Sequence, residues 1–306
     1  MADIFVLVNP VSANGTTAGV WPQIAAAFKE VGLEFDYYLT TRPFEAPEVV
    51  RQALRGGAKT VVAVGGDGTI HEVVNGFFED ETPINPEARL ALISRGTGCD
   101  LIRTLGTPKP WDQAIKVIAR GRDMVMDLGL CKYIDHQGQP SSRWFVNIAD
   151  VGLGGAVATR VNHTSKSAGG FLSYLYGTVW SILRYQNGHG RVEVDSQEVY
   201  QGPITMAAVS NGRYFGGGMH LSPNSKLNDG KLDLVLLEGV SKISILLHLL
   251  RIYRGTHLKH PSIRVIPAQD IKVTTQAPMP LELDGEVPGV TPVSFHVRPK
   301  AIKIIY

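Results

Sequence analysis

VVAVGGDGTIHEVVNGF, residues 61–77, runs four apolar residues into two glycines, an aspartate and a third glycine, then into an apolar pattern at helical spacing. A strand without polar alternation is one buried on both faces, as in a parallel sheet. The glycines fall at its carboxyl end and at the start of a helix, where open α/β sheets bind ligands. Glycine lets backbone N–H groups approach an anion, and the helix N-terminus adds positive potential. A bare carboxylate, Asp67, would repel a phosphate there unless a divalent cation lay between them. A tight turn in which Asp67 or Thr69 caps the helix reads the same residues without a ligand.

The same rhythm extends on both sides. IFVLVNP (4–10), FDYYLTT (35–41) and RLALIS (89–94) read as further strands, with GVWPQIAAAFKEVGL (19–33) and APEVVRQALRGG (46–57) as helices between them. Residues 1–128 are therefore expected to form an α/β domain of doubly wound type. From residue 129 the rhythm changes. RWFVNIADV, RVEVDSQEVY, PITMAAVSNG, KLDLVLLEG, SIRVIPA, DIKVTT and MPLELDGEV are short strands separated by Gly, Asn, Asp and Pro turns. That spacing predicts an antiparallel β-sandwich or barrel over 129–295, interrupted by helices at FLSYLYGTVWSILRYQ and VSKISILLHLLRIYRG.

Composition narrows the class. The chain has 306 residues, 44% hydrophobic and 19% charged, with a formal net charge of +2. This is the balance of a soluble two-domain protein with ample core, and it supplies no global field for nucleic acid. Two cysteines, Cys99 and Cys131, make no disulfide framework and fit a reducing cytoplasm. MADIFVLVNP lacks the marks of a signal peptide, and no apolar run reaches the roughly 20 residues that cross a bilayer. Membrane contact, if any, is expected to be peripheral.

Two more loops share the placement of the first. Asn9-Pro10-Val11-Ser12-Ala13-Asn14-Gly15 and Ser94-Arg95-Gly96-Thr97-Gly98-Cys99-Asp100 each follow a strand and precede a helix. Three small-residue loops on one sheet edge describe a site better than three independent turns. None is a Walker A loop. Gly152-Leu153-Gly154-Gly155-Ala156 loosely matches a dinucleotide fingerprint, but no βαβ unit is read around it.

In order and spacing, NPVSANG, GGDGTIHEVVNG and GTGCDLIRTLG resemble the soluble bacterial diacylglycerol kinase family, whose catalytic domain sphingosine and ceramide kinases share. GGDGT alone is less specific, since NAD kinases and phosphofructokinases carry similar loops. GGGMHLSPNSKLNDGKLDLVLLEG and LELDGE extend the likeness over nearly the whole chain. The resemblance implies an NAD kinase/phosphofructokinase-like nucleotide domain, a β-sandwich for the lipid, and a last strand, 296–306, that returns to the first domain. It implies an ATP- and Mg2+-dependent lipid kinase, with diacylglycerol the default acceptor and phosphatidic acid the product. Phosphatidylglycerol, a sphingoid base, a polyprenol or soluble NAD remain alternative acceptors, as does a nucleotide- or lipid-binding relative with weak catalysis. A homodimer is compatible with the family.

By this resemblance Asn9, Pro10, Ser12, Gly15, Thr40 and Thr97 line the nucleotide, with Thr41 leaving the register of Thr40 open by one. Gly65, Gly66, Asp67, Gly68, Thr69, Ile70, His71 and Glu72 hold its phosphates, and Asp67 meets the Mg2+. Glu286 takes the general-base role, with Asp284 as its neighbour and a metal partner. Two close carboxylates can push one pKa upward. Asp-Gly between strands is also a strong hairpin signal. Asp229, with the carbonyls of Lys226 and Lys231, matches a structural metal site. One departure stands out: Cys99 occupies a position where the family commonly has Asn. His71, His257 and His260 are expected on helix surfaces. LLHLLRIYRGTHLKHPSIR reads either as a basic amphipathic segment for an anionic membrane or as a core helix with a solvated basic end.

Overall fold

The computed structural model describes residues 2–163 and 170–306. The chain divides into two compact units, Met1–Leu128 with Pro299–Tyr306, and Gly129–Arg298.

The first unit alternates strands and helices: β1 (Ile4–Val8), α1 (Thr16–Glu30), β2 (Phe35–Leu39), α2 (Ala46–Arg55), β3 (Thr60–Gly65) and α3 (Asp67–Asn75). A minimal hairpin, β4 (Phe78–Glu79) and β5 (Thr82–Pro83), leads to β6 (Arg89–Ser94), α4 (Asp100–Leu105) and α5 (Trp111–Arg120). β2, β1, β3 and β6 pair in parallel in that order, and Lys303 and Ile304 add a fifth parallel strand beside β6. Because side chains alternate along a strand, Val6, Val8, Val62, Val64, Ala91 and Ile93 share one face. They pack on Trp21, Ile24 and Phe28 of α1 and on Ala114, Ile115 and Ile118 of α5. The intervening residues, Phe5, Leu7, Val61, Ala63, Leu90 and Leu92, are buried too. This double burial is what erased polar alternation from the strands.

The second unit begins within β7 (Asp123–Asp135) and continues through β8 (Pro140–Phe145), β9 (Ile148–Gly152), α6 (Leu153–His163), α7 (Gly170–Arg184), β10 (Gly188–Val194) and β11 (Gln197–Ser210). It ends with β12 (Leu232–Glu238), α8 (Lys242–Ile252), β13 (Ile263–Ala268), β14 (Asp270–Thr275), β15 (Pro280–Leu283) and β16 (Glu286–Ile305), whose last residues form the fifth strand described above. The strands pair antiparallel in the order β13-β12-β11-β10-β14-β16, while β9 lies between β11 and β15. Phe145 and Phe295 meet edge to face, 5.9 Å apart, inside the main core of this unit.

One reading changes here and another holds. RWFVNIADV is not one strand: it breaks between β8 and β9, where the amides of Val146, Asn147 and Ile148 all turn to the carboxylate of Asp284. The Gly152–Ala156 stretch does pass from a strand into a helix. Both neighbours of β9 are antiparallel, so no dinucleotide-binding unit surrounds it.

Candidate active site

The three glycine loops of the first unit are tied to one another by side chains and backbone. Asn9 donates through its side-chain amide nitrogen to Thr69 Oγ1 at 2.9 Å, fastening the first loop to α3. Ser12 Oγ donates to the Asn9 carbonyl at 2.8 Å. Ala13, Asn14 and Gly15 are left-handed in succession, with Gly15 at φ +82° leading into α1. Gly66 and Gly96 bring the second and third loops together: a Cβ on Gly96 would lie 2.8 Å from the Gly66 Cα. Arg95 N–H donates to the Gly65 carbonyl at 2.6 Å, so the contact is held on both sides.

Asp67 does not cap its own helix. α3 begins after Gly66 with no side-chain cap. Instead Asp67 Oδ2 accepts the Cys99 amide at 2.9 Å and Oδ1 the Asp100 amide at 3.1 Å, so the carboxylate holds the start of α4. Cys99 is the N-cap of α4, left-handed at φ +56°, with its thiol donating to the Gly96 carbonyl at 3.0 Å. It is 1% exposed, a packed thiol. A Cβ on Gly98 would meet Asp67 Oδ2 at 2.6 Å and Asp100 Oδ2 at 3.3 Å. Two carboxylates thus converge on a space only glycine leaves open. Hard oxygen donors of like charge around one point suit Mg2+, and Asp67 with Asp100 would hold it. Sequence reading did not nominate Asp100. Its signal was its placement, an aspartate opening a helix directly after a glycine loop, as Asp67 does.

The other nominated residues fall as follows. Thr40 N–H continues the pairing of β2 with the Val8 carbonyl at 2.9 Å, whereas Thr41 turns its amide and hydroxyl to Glu45. This separates the two threonines and favours Thr40. Thr97 is exposed, and Pro10, Gly68 and Glu72 are half-buried. Ile70 and His71 are each 2% exposed, so His71 is an interior residue and not the surface one expected. His257 is also buried, which pushes its pKa down to about 4. An open recess of about 280 Å³, lined by Ala13, Ser94, Arg95, Gly96, Lys109, Pro110 and Trp111, adjoins the first and third loops.

In the second unit, Asp284 and Gly285 make the two-residue turn between β15 and β16, at φ +49° and +97°, the doubly left-handed pattern of a tight hairpin. The hairpin reading is therefore correct as far as it went. The Asp284 carboxylate accepts Val146 N at 2.8 Å, Asn147 N at 2.9 Å and Ile148 N at 3.1 Å, which pins the turn to the β8–β9 break. These three amides anchor the turn. Glu286, half-buried, is the first residue after that turn.

The pair of interacting acids is found at Asp150 and Glu282, neighbours across β9 and β15. They hydrogen-bond to each other, and burial raises both: Asp150 to about 6, and Glu282 well above the carboxylate range, pushed further by Asp150. Glu282 accepts the Gly285 amide and Asp150 the Gly155 amide at 3.1 Å, so the pair is linked to the same turn. Nothing in the sequence pattern marked it, because two acids on different strands meet only once the register is known.

In the expected structural metal loop, Asp229 is exposed and its Oδ1 accepts Lys231 N–H at 3.2 Å. Among the described residues no three His, Cys, Asp or Glu side chains gather as metal ligands.

Comparison with known proteins gives the family. Residues 3–131 match the diacylglycerol kinase catalytic domain, and residues 147–306 match the YegS C-terminal NAD kinase beta sandwich-like domain. A diacylglycerol kinase of Staphylococcus carnosus (strain TM300) is 28% identical over 95% of this chain and 90% of its own. One from Bacillus subtilis (strain 168) is 29% identical over 95% and 91%. Two crystal structures from Bacillus anthracis str. Sterne superpose with TM-scores of 0.77 and 0.72 at 23% and 19% identity, over 99% of this chain and 96% of theirs. The second of these is described as a diacylglycerol kinase; at such identity the likeness shows the fold. Since the two domain matches account for nearly the whole chain, it belongs to the diacylglycerol kinase-like family and is a kinase with that catalytic domain followed by a YegS-type β-sandwich domain.

Proposed function

We propose that the protein transfers the γ-phosphoryl group of ATP, with Mg2+, to the hydroxyl of a membrane lipid, and that diacylglycerol is the acceptor, giving phosphatidic acid. The observation that carries this reading is the convergence of Asp67 and Asp100 on Gly98 beside three linked glycine loops. Phosphoryl transfer asks for positioning and charge neutralisation more than for covalent chemistry. Amides of the Gly66–Glu72 run and the Asn9–Gly15 loop would hold the phosphates, with Thr40 and Thr97 on the nucleotide. Magnesium, when bound, neutralises the charge that develops on the phosphates. The names of the curated relatives support diacylglycerol as acceptor.

Glu286 would accept the proton of the attacking hydroxyl. Its place after a turn pinned by three amides supports the role, because a general base must be held where the proton leaves. Asp229, with the carbonyls of Lys226 and Lys231, would bind a second, structural cation. The doubly wound arrangement of the first domain belongs to the same proposal and is supported by burial of alternate residues along β1, β3 and β6.

The test is a radiolabelled-ATP assay against diacylglycerol, phosphatidylglycerol, a sphingoid base, a polyprenol and NAD, with products resolved by chromatography. Label in phosphatidic acid is expected. Asp67→Asn should abolish it, and Glu286→Gln should lower kcat by about 10²–10⁴-fold with little change in nucleotide KM. Near-normal turnover in Glu286→Gln removes that residue from the base role.

A further inference from the structure

α8 is apolar on two sides. Ile245, Leu246, Leu249 and Ile252 pack on the core cluster that holds Ile148, Met206 and Leu221. Ile243, Leu247 and Leu250 point away from it, 72%, 74% and 74% exposed. Their spacing, i, i+4, i+7, sets them in one stripe along the helix. Leu183 of α7 is also 53% exposed, and its carbonyl accepts Lys242 Nζ at 2.8 Å, which brings the end of α7 to the start of α8. Single exposed aliphatic residues need no explanation, but three in one stripe do. The sequence alternatives for this segment are thus both incomplete: it is packed on its inner side, and its solvent side is greasy as well as basic.

Along these helical segments the formal charge has one sign. No Asp or Glu occurs from residue 151 to 192 or from 239 to 269, the spans that contain all three helices of this unit. Lys242, Arg251 and Arg254 are exposed, and Arg251 follows Leu247 by one helical step. None of the three has a carboxylate partner among the described residues.

We infer that the face of α8 formed by Ile243, Leu247 and Leu250 docks on an anionic lipid bilayer, with Lys242, Arg251 and Arg254 on its headgroups. An amphipathic helix of this kind lies in the interface with its apolar residues roughly 5–10 Å into the headgroup boundary, and nearby cations add attraction that salt screens. Eleven residues make a helix about 16 Å long, far short of a span. A second copy of the chain fits poorly. An isologous contact through α8 would set these cations against their own copies, and neither copy of the segment 239–269 carries an acid to offset them. The inference rests on the lipid-acceptor reading, which requires the enzyme to reach an acceptor dissolved in a bilayer.

Cosedimentation with vesicles of phosphatidylcholine containing about one-third phosphatidylglycerol tests it. The whole protein is expected to bind these vesicles and to bind pure phosphatidylcholine weakly. Leu247→Ser/Leu250→Ser should lower partitioning at least tenfold without lowering the melting temperature, because both side chains are already in water. Arg251→Gln/Arg254→Gln should weaken binding to the anionic vesicles alone. Phosphorylation of a water-soluble short-chain diacylglycerol should be unchanged in both variants, while phosphorylation of vesicle-borne acceptor falls. If the short-chain lipid is not phosphorylated by the parent protein, the kinase reading fails and the vesicle result still stands by itself. Undiminished vesicle binding by Leu247→Ser/Leu250→Ser overturns the docking face. So does a dimer on gel filtration that this variant splits, which would assign the stripe to a second copy.

Discussion

In the first unit the carboxylate of Asp67 takes two amides from a loop some thirty residues away; in the second, Asp284 takes three from a break between strands. Each uses an anion to collect backbone N–H groups that regular structure leaves unpaired. The surroundings differ. Beside Asp67 a second carboxylate, Asp100, approaches the same opening at Gly98. Beside Asp284 the extra acids, Asp150 and Glu282, are sealed in the interior and hydrogen-bonded to each other. Surplus negative charge at an open loop invites a cation, whereas surplus charge in a core takes up a proton. The first arrangement is the one the proposed cation would occupy, and the second fixes a turn.

Removing the carboxylate at Asp284 should give the largest effect. Asp284→Asn keeps a side chain that tolerates the left-handed turn but sets an NH2 group against amides that need an acceptor. Hydrogen bonds to a charged group are each worth about 1.5–3 kcal/mol, so a loss of about 3 kcal/mol in urea unfolding is expected, with kcat falling alongside. A stable but inactive Asp284→Asn would break the comparison, because Asp284 would then be part of the chemistry and not an anchor.

The buried pair gives an intermediate effect with a definite sign. Asp150 and Glu282 hold protons in the folded state that the unfolded chain releases above about pH 4. The folded state therefore binds more protons, and stability falls as pH rises from about 4 through 6 and beyond. Glu282→Gln keeps an acceptor for the Gly285 amide and a donor for Asp150 without a titrating proton. Relative to the parent, this variant should gain on the order of 1–3 kcal/mol between pH 5 and pH 8. His257, buried and held neutral, costs stability in the opposite direction below about pH 6.5. It is common to both proteins and cancels in the difference. Parallel stability profiles would mean that the two acids do not share a proton.

The strands of the first unit were legible because burial on both faces leaves an unbroken apolar run, as at Thr60–Gly65. The glycine loops were legible because a side chain on Gly96 would strike the Gly66 backbone. What stayed hidden depended on pairs distant in sequence. Asp67 appeared free to cap α3, and only its meeting with Cys99 and Asp100 gave it another task. RWFVNIADV looked continuous because a strand break caused by a carboxylate 138 residues away leaves no local trace. α5, with WDQAIKVIAR, was passed over although Ala114, Ile115 and Ile118 carry helical spacing.

The smallest effect sharpens the first half of the comparison at Cys99, which holds a left-handed conformation at φ +56° as the cap through which Asp67 grips α4. Asparagine visits that region more readily than cysteine and is a better N-cap. In Cys99→Asn the side-chain amide can also replace the thiol as donor to the Gly96 carbonyl. Opposing this, the site is almost wholly buried and must accept a polar group of slightly different shape. The backbone gain is expected to win by about 0.5 kcal/mol, seen as a small rise in melting temperature with nucleotide KM unchanged or lower. A loss of 1 kcal/mol or more would show that thiol packing, and not the left-handed cap, sets the third loop against Asp67.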